Sequence, residues 1–250
     1  MNDFTRLDRT ALLTLKSELQ KRYEDFKARK LTLDMTRGKP APEQLDLASG
    51  MFAPEICRRH LSASGADYRN YGGLEGISEA RVLFAEYLDV APDEIIVGNN
   101  ASLKMMHDTV MGGLVFGMVD SEVPWGRLPS IKFLCPSPGY DRHFAICEYL
   151  HIEMIPIAMD ENGPNMARVE ELVGADDTIK GMWCVPKYSN PSGVTYSDTV
   201  VDRLAAMETK ARDFRLFWDN AYAAHHLTDT PTGLKNILAA CKEAVWLFLL

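Results

Sequence analysis

Four groups of residues that could bind a ligand each follow a short apolar segment of the sequence. The first is a turn from Gly98 to Ser102 that leads into a helical pattern. The start of a helix offers unpaired N–H groups and the positive end of its dipole, so this turn could hold a phosphate, with the Ser102 hydroxyl as a further donor. A helix start capped by the protein itself is the structural alternative.

The second and third groups supply an aromatic ring and an amide. Tyr140 follows the apolar segment that ends at Cys135, and an aromatic side chain at that point could stack on a flat ring. Asn190 precedes a proline, which holds its backbone extended, and its side-chain amide could donate to a ligand oxygen. A tyrosine packed in a turn and a rigid loop without a ligand are the structural alternatives.

The fourth group begins at Asp219, which follows the apolar segment ending at Trp218. A carboxylate is costly to bury without a partner, so Asp219 could hold a protonated nitrogen or a metal ion, or it could cap a turn. A metal site would need further carboxylates or histidines at ligand spacing, and the adjacent His225 and His226 would point apart on a helix. We therefore predict no metal site.

These four groups are more specific together than any one of them is alone. A phosphate site, a stacking aromatic ring, an amide donor and a carboxylate follow four apolar segments in order. One flat, phosphorylated pyridine ring needs all four kinds of contact. The sequence has neither of the glycine-rich signatures of nucleotide-binding loops, so the pattern favours such a ring over a nucleotide.

The segments that must position these residues alternate between strand and helix patterns. Strands are predicted at 94–97, 131–135, 152–157, 181–185, 216–218 and 244–250, and helices at 12–26, 78–88, 102–106, 141–150, 167–173 and 199–211. Short apolar strands that alternate with helices predict a mainly parallel sheet covered on both faces. Ligands of such sheets bind beyond the carboxyl ends of the strands, where the four groups lie.

The composition narrows the classes of function. The 250 residues carry a formal net charge of -8, which argues against binding to nucleic acid or to an anionic membrane. The five cysteines are scattered and form no C-x-x-C pair, which favours a reduced, cytoplasmic protein over a disulfide framework. The polar start is unlike a secretory signal, and no uncharged apolar run reaches transmembrane length.

Several motifs together resemble the fold-type I, pyridoxal-phosphate-dependent aminotransferases of class I/II. They are Tyr71-Gly-Gly-Leu-Glu-Gly-Ile77, Gly98-Asn-Asn-Ala-Ser102, Pro138-Gly-Tyr140, Asn190-Pro-Ser-Gly193 and Asp219-Asn-Ala-Tyr222, in the order found in that family. Thr36-Arg-Gly-Lys-Pro40 and Pro138-Gly-Tyr-Asp-Arg-His-Phe144 are similar to a bacterial, aspartate-aminotransferase-like subgroup. The resemblance covers essentially the whole chain.

The resemblance implies a three-layer αβα large domain with a mainly parallel sheet and an N-terminal helical segment. Residues 1–47 would form a helix and an extended arm that belongs to a small domain or a dimer contact. Residues 48–250 would form the cofactor-binding large domain, incomplete at its C-terminal end, and the C-terminal small domain would be absent. The family implies a homodimer.

The resemblance also assigns roles to individual residues. The cofactor would be pyridoxal 5'-phosphate, and the reaction would move an amino group between an amino acid, aspartate or glutamate, and a 2-oxo acid. Its contacts would be the following: Asn100, Ala101 and Ser102 to the phosphate, Tyr140 stacked on the ring, Asn190 and Tyr222 to the phenolic oxygen, and Asp219 to the pyridinium nitrogen. Gly38 would bind the substrate carboxylate, and Tyr71 would reach the phosphate of the neighbouring subunit.

The family's Schiff-base lysine is expected after the strand at 244–250, where this chain ends. Lys104, Lys187, Lys235 and Lys242 do not fit that position, so we assign no catalytic residue and expect the chain alone to be inactive. A lyase or decarboxylase of the same fold and a non-catalytic, aminotransferase-like binding protein remain alternatives. Arg37 and Arg142 are candidate partners of a substrate carboxylate, although such residues are more often solvated or structural.

Overall fold

The structure is a computed structural model that describes residues 4, 7–32, 38–98 and 100–243, without the side chain of Cys57. The chain divides into two compact units, residues 1–60 and residues 61–250. The boundary predicted after residue 47 separates segments by their expected role and stays a prediction. The strand predicted at 244–250 lies outside the described residues.

The first unit is helical where it is described. Helix α1 spans Arg9–Ala28, and Asp8 caps it by accepting a hydrogen bond from the Ala11 N–H at 2.7 Å. The shorter elements are α2 at Pro42–Asp46, a 3-10 turn at Ser49–Phe52 and α3 at Pro54–Cys57. The predicted amphipathic helix is confirmed by α1, although none of its residues is buried.

The second unit contains a five-stranded sheet with the order β3-β2-β1-β4-β5. Strand β1 pairs in parallel with β2 and β4, β4 pairs in parallel with β5, and the short β3 is antiparallel to β2. The elements in chain order are α4 Ser78–Leu88, α5 Ser102–Val115, β1 Lys132–Ser137, α6 Asp141–Tyr149, β2 Glu153–Asp160, β3 Gly163–Pro164, α7 Met166–Ala175, β4 Ile179–Cys184, α8 Asp198–Ala206, β5 Arg215–Trp218 and α9 Ile237–Glu243. Two 3-10 turns lie at Pro92–Glu94 and Trp125–Arg127.

The side chains of each central strand alternate between two hydrophobic cores, one on each face of the sheet. On one face, Leu134, Met182 and Leu216 pack with apolar residues of α7, α8 and α9. On the other face, Phe133, Trp183 and Phe217 pack with residues of α5 and α6. The predicted three-layer arrangement with a mainly parallel sheet is therefore confirmed.

One predicted strand is wrong. Residues 94–97 form the end of a 3-10 turn and an extended segment, and the Val97 N–H donates to the Glu75 carbonyl at 2.9 Å. Ile96 in this segment is exposed. Within the described part of the chain no strand pairs with this segment, and an apolar run without a ladder partner does not become a strand. The helix predicted at 199–211 also ends earlier, at Ala206.

Candidate functional site

The loops that follow three of the strands lie at the same edge of the sheet. Strands β1, β4 and β5 run parallel, so the segments after Ser137, Cys184 and Trp218 all leave from the carboxyl edge. The Asp219 N–H donates to the Cys184 carbonyl at 2.8 Å, which continues the pairing of β5 with β4 up to the predicted carboxylate. The sheet therefore brings three of the four predicted groups to the same edge.

The turn after β1 is tightly constrained. A Cβ atom added to Gly139 would lie 2.3 Å from the Pro136 carbonyl oxygen and 2.9 Å from the Phe144 ring. Only glycine fits between the end of β1 and the start of α6. Tyr140 follows at once, with extended backbone, as the residue before the helix.

Asp219 forms a buried pair with a histidine. Its carboxylate oxygen Oδ2 lies 3.0 Å from His143 Nε2, and the two residues are 6% and 1% exposed. A buried carboxylate without a partner would be strongly destabilising, and the imidazole supplies that partner. Among the described residues, the hydrogen bond recorded for this carboxylate is the one at Oδ2.

Sequence analysis missed His143. The residue lies in the first turn of α6, three positions after Tyr140, and the two rings meet edge to face with centroids 5.1 Å apart. On the other side, Trp183 stacks on the imidazole at 4.8 Å and an interplanar angle of 14°. A histidine one turn beyond the predicted stacking tyrosine was the available signal, because α6 starts at the edge that carries Asp219.

The amide and the phenol predicted to share a ligand oxygen do meet. Asn190 Nδ2 donates to the Tyr222 hydroxyl at 3.3 Å, and both residues are half-buried. The loop of Asn190 is closed by a hydrogen bond from the Ser189 N–H to the Val194 carbonyl at 2.8 Å. The Asn190–Pro191 peptide bond is cis. These contacts place a hydrogen-bonding pair on the same edge as Asp219.

Asn100, Ala101 and Ser102 lie where helix α5 begins. Ala101 is the residue before the helix, and within the described residues it makes no side-chain cap hydrogen bond. All three residues are exposed, and Asn99 lies outside the described residues. The start of a helix has the N–H groups and the dipole of an anion site, and the choice between that role and a capped turn stays a prediction.

Tyr71 and Gly38 do not belong to the loops that follow β1, β4 and β5. The Tyr71 side chain is completely exposed. Three residues earlier in the chain, the Tyr68 hydroxyl donates a hydrogen bond to the Glu79 carboxylate. Hydrogen bonds from the Ala63 N–H, Tyr68 and Ser78 lower the pKa of Glu79 to about 2. Gly38 belongs to the first unit, and its predicted role stays a prediction, as does that of Tyr71. Arg37 lies outside the described residues.

The four lysines considered from the sequence are all engaged elsewhere. Lys187 donates to the Ala223 carbonyl at 3.1 Å, and Lys235 pairs with Asp202 at 2.5 Å. Lys104 pairs with Asp108, and Lys242 pairs with Glu94. Among these, Lys187 alone is buried at the carboxyl edge of the sheet.

The donor set fits a phosphorylated pyridine ring better than a metal ion. Within the described residues, no group of three or more histidine, cysteine or acidic side chains could hold a metal. Asn220 Oδ1, next to Asp219, is a buried acceptor without a donor in the described part of the chain. A single carboxylate backed by imidazole, with an amide and a phenol nearby, is suited to a protonated ring nitrogen and a ring oxygen.

The comparison with known proteins decides the family. The family model described as "Aspartate amino-transferase" matches residues 7–246. The chain belongs to the aspartate aminotransferase family. A putative aminotransferase from Mycolicibacterium smegmatis is 51% identical over 242 residues, which cover 95% of this chain and 56% of that protein.

Solved structures of aminotransferases share the fold. An aspartate transaminase from Corynebacterium glutamicum matches with a TM-score of 0.89 and 42% identity, over 96% of this chain and 56% of that one. An α-aminoadipate aminotransferase from Thermus thermophilus, complexed with N-(5'-phosphopyridoxyl)-L-leucine, matches with a TM-score of 0.62 and 21% identity, over 85% of this chain and 49% of that one. The chain spans about half the length of the curated relatives it matches. No helix in the described residues is long and apolar enough to cross a membrane.

Proposed function

We propose that this member of the aspartate aminotransferase family binds pyridoxal 5'-phosphate at the carboxyl edge of its sheet and serves amino-group transfer. The observation that carries the proposal is the buried Asp219 carboxylate, held by His143 at 3.0 Å on the edge that also carries Asn190 and Tyr222. When bound, pyridoxal phosphate supplies an electron sink for the α-carbon of an amino acid.

Asp219 would keep the ring nitrogen protonated. A carboxylate close to a pyridinium favours the charged form of that ring, and burial strengthens the interaction because water does not screen it. His143 holds the Asp219 carboxylate in place through Nε2, which leaves one carboxylate oxygen for the ring. Protonation of the nitrogen is what makes the ring an effective electron sink.

The other predicted contacts have complementary chemistry. Asn190 and Tyr222 would hydrogen-bond the phenolic oxygen, since their side chains already lie 3.3 Å apart. Tyr140 would stack on the ring, and the start of α5, at Asn100, Ala101 and Ser102, would hold the phosphate. Together these residues would orient the ring.

Membership of the family supports a proposal for the substrates and the partner. We propose aspartate or glutamate and a 2-oxo acid as substrates, with Gly38 donating its backbone N–H to the substrate carboxylate. We also propose a homodimer in which Tyr71 reaches the phosphate in the other subunit. The complete exposure of the Tyr71 ring supports a role in contact with another chain.

A titration with pyridoxamine 5'-phosphate tests the proposed site, because this compound has the same ring and phosphate and needs no lysine for binding. Asp219→Asn keeps the shape and removes the charge, so we expect its affinity to fall roughly 10-fold or more. The matched control is Asp160→Asn, which changes an exposed carboxylate at the carboxyl end of β2 and should leave the affinity unchanged. Equal affinities of the wild type and Asp219→Asn would contradict the proposal.

Borohydride reduction in the presence of pyridoxal 5'-phosphate tests the expectation that no lysine of this chain forms the covalent link. The four lysines considered above are engaged in other contacts, so we expect no labelled peptide. Reduction that fixes the cofactor to one peptide, most plainly that of the buried Lys187, would show that the expectation is wrong.

A further inference from the structure

One buried tryptophan stacks on the histidine of the Asp219–His143 pair. Trp183 lies in β4 and is 2% exposed. Its indole ring stacks on the His143 imidazole with centroids 4.8 Å apart and an angle of 14° between the planes. The imidazole therefore lies flat on a large, rigid surface that belongs to the sheet.

The same indole is anchored by its N–H group. Trp183 Nε1 donates to Cys147 Sγ at 3.2 Å, and Cys147 is fully buried. Cys147 is four residues after His143 in α6, so the two side chains lie one above the other on the same face of that helix. Trp183 thus contacts two residues of α6 that are one helical turn apart, and it links the helix to β4.

These contacts limit the freedom of the imidazole. A histidine ring turns about its last side-chain bond over a broad range unless its neighbours prevent this. Here Trp183 covers one face, the Tyr140 ring stands at 87° to it, and Nε2 lies 3.0 Å from Asp219. A partial rotation that moves Nε2 away from Asp219 would also tilt the imidazole out of the plane of the indole and weaken the stacked contact.

We propose that Trp183 is a positioning residue, whose stacked and N–H-anchored indole holds His143 in the orientation that supports the Asp219 carboxylate. The proposal rests on the proposed cofactor site, because the purpose of the orientation is to present Asp219 to the ring nitrogen. Two parts of the indole contribute separately: its flat surface sets the plane of the imidazole, and its N–H sets the position of the indole.

The competing explanation is simple packing of the core. Trp183 also contacts Phe133 and Phe217, with centroids 5.3 and 4.6 Å apart, so its loss will weaken the fold in any case. A matched control is at hand in Trp125, a tryptophan of the same core that is 1% exposed. Its N–H donates to Asp213 at 2.8 Å, in a cluster that does not include His143.

The experiment compares Trp183→Leu, Trp183→Phe and Trp125→Phe in the 250-residue chain. The first readout is the ¹⁵N NMR signal of the His143 ring without cofactor, assigned among the six histidines by its loss in His143→Gln. The second readout is the affinity for pyridoxamine 5'-phosphate. Thermal unfolding of each variant shows whether it is folded.

We expect one His143 signal with its proton on Nε2 in the wild type and in Trp125→Phe, since Asp219 accepts from that atom. Trp183→Leu should show more than one ring state and an affinity lower by on the order of 10-fold, as when a group that orients a ligand-binding side chain is removed. Trp183→Phe keeps a flat ring, so its affinity and its His143 signal should lie between those of the wild type and those of Trp183→Leu. Should Trp183→Leu not fold, Trp183→Phe and Cys147→Ala still separate the ring from its anchor.

Two results would overturn the proposal: unchanged His143 signals in the folded Trp183 variants, or an equal change in Trp125→Phe. The proposed function could also fail while the positioning role holds. In that case the wild type would not bind pyridoxamine 5'-phosphate, but Trp183→Leu would still lose the single His143 signal that the wild type shows. The two failures are therefore distinguishable.

Discussion

At the scale of single residues, the site depends on how Asp219 and His143 support each other. Both are nearly fully buried, and the hydrogen bond between them joins residues 76 positions apart in the chain. Removing either one leaves the other buried without its partner. The loss in the free energy of unfolding when both side chains are removed should therefore be much smaller than the sum of the losses from the two single substitutions.

A double-mutant cycle with His143→Ala and Asp219→Ala measures that dependence. We predict a coupling of about 1–3 kcal/mol in the free energy of unfolding by urea. The Tyr188–His226 pair, also 3.0 Å apart but exposed, is the control and should give a much smaller coupling. Additive effects at His143 and Asp219 would mean that the pair is not formed.

The sequence predicted most of these residues because parallel strands carry them to one edge. Tyr140, Asn190 and Asp219 each follow a strand, and the structure brings all three to the carboxyl edge. His143 could not be predicted in the same way, because its role depends on a side-chain contact between distant parts of the chain. A histidine inside a helical pattern gives no sign of which side chain it will meet.

At the scale of the elements, helix α5 must lie close against the 3-10 turn that contains Trp125. A Cβ atom added to Gly113 would lie 2.7 Å from the Trp125 ring, whereas one added to the adjacent Gly112 would have no atom within 4 Å. The two glycines therefore differ in the reason for their presence. Gly113 allows close packing, and Gly112 only weakens the helix.

Alanine at each position tests this difference. We predict that Gly112→Ala raises the free energy of unfolding by about 0.5–1 kcal/mol, since alanine favours the helix. Gly113→Ala should lower it by roughly 1–3 kcal/mol because the added methyl group overpacks the core. Urea unfolding of the two variants measures both values, and stabilisation by Gly113→Ala would contradict the packing of α5.

Most helices and strands were predicted from their local patterns, and the exceptions are an apolar segment that found no partner among the described strands and a strand of two residues. The predicted helix 78–88 is α4, with Ser78–Leu88 as its bounds. The apolar segment 94–97 has the composition of a strand, but a strand also needs a neighbour in the sheet, which the local sequence does not specify. The two-residue strand β3 was missed because it is too short to show a period.

At the scale of the whole molecule, the two ends of the sheet carry different groups of polar residues. The carboxyl edge carries the candidate site, while the opposite end contains the buried pair of Lys180 and Asp213, 2.6 Å apart. Ser121 and Trp125 also donate to Asp213. Burial opposes ionisation of Asp213, but the hydrogen bonds from Lys180, Ser121 and Trp125 outweigh it and lower its pKa.

Removal of the lysine tests the structural role of that cluster. Lys180→Met leaves a buried carboxylate without its cation, and we predict a loss of about 3–5 kcal/mol in the free energy of unfolding at pH 7. Because the folded pKa of Asp213 is lowered, the contribution of the pair is present above the unfolded pKa and is lost as the pH falls through the folded value. The difference between wild type and variant should therefore shrink below about pH 4.

The double variant Lys180→Met with Asp213→Leu is the matched control for this experiment. It removes both charges, so it should recover much of the stability that the single variant loses. Affinity for pyridoxamine 5'-phosphate should stay unchanged in the double variant, because the cluster is at the other end of the sheet. A difference in unfolding free energy that is the same at every pH would contradict the assignment to Asp213.

The most direct test of the central claim is the protonation state of the bound ring. Pyridoxamine 5'-phosphate labelled with ¹⁵N in the pyridine ring is bound to the chain at a pH where the free ring nitrogen has lost its proton. We predict a protonated nitrogen in the wild type, held by Asp219, and an unprotonated one in Asp219→Asn. An unprotonated nitrogen in the bound wild type, or a signal that Asp219→Asn leaves unchanged, would contradict the claim that this edge of the sheet is the cofactor site.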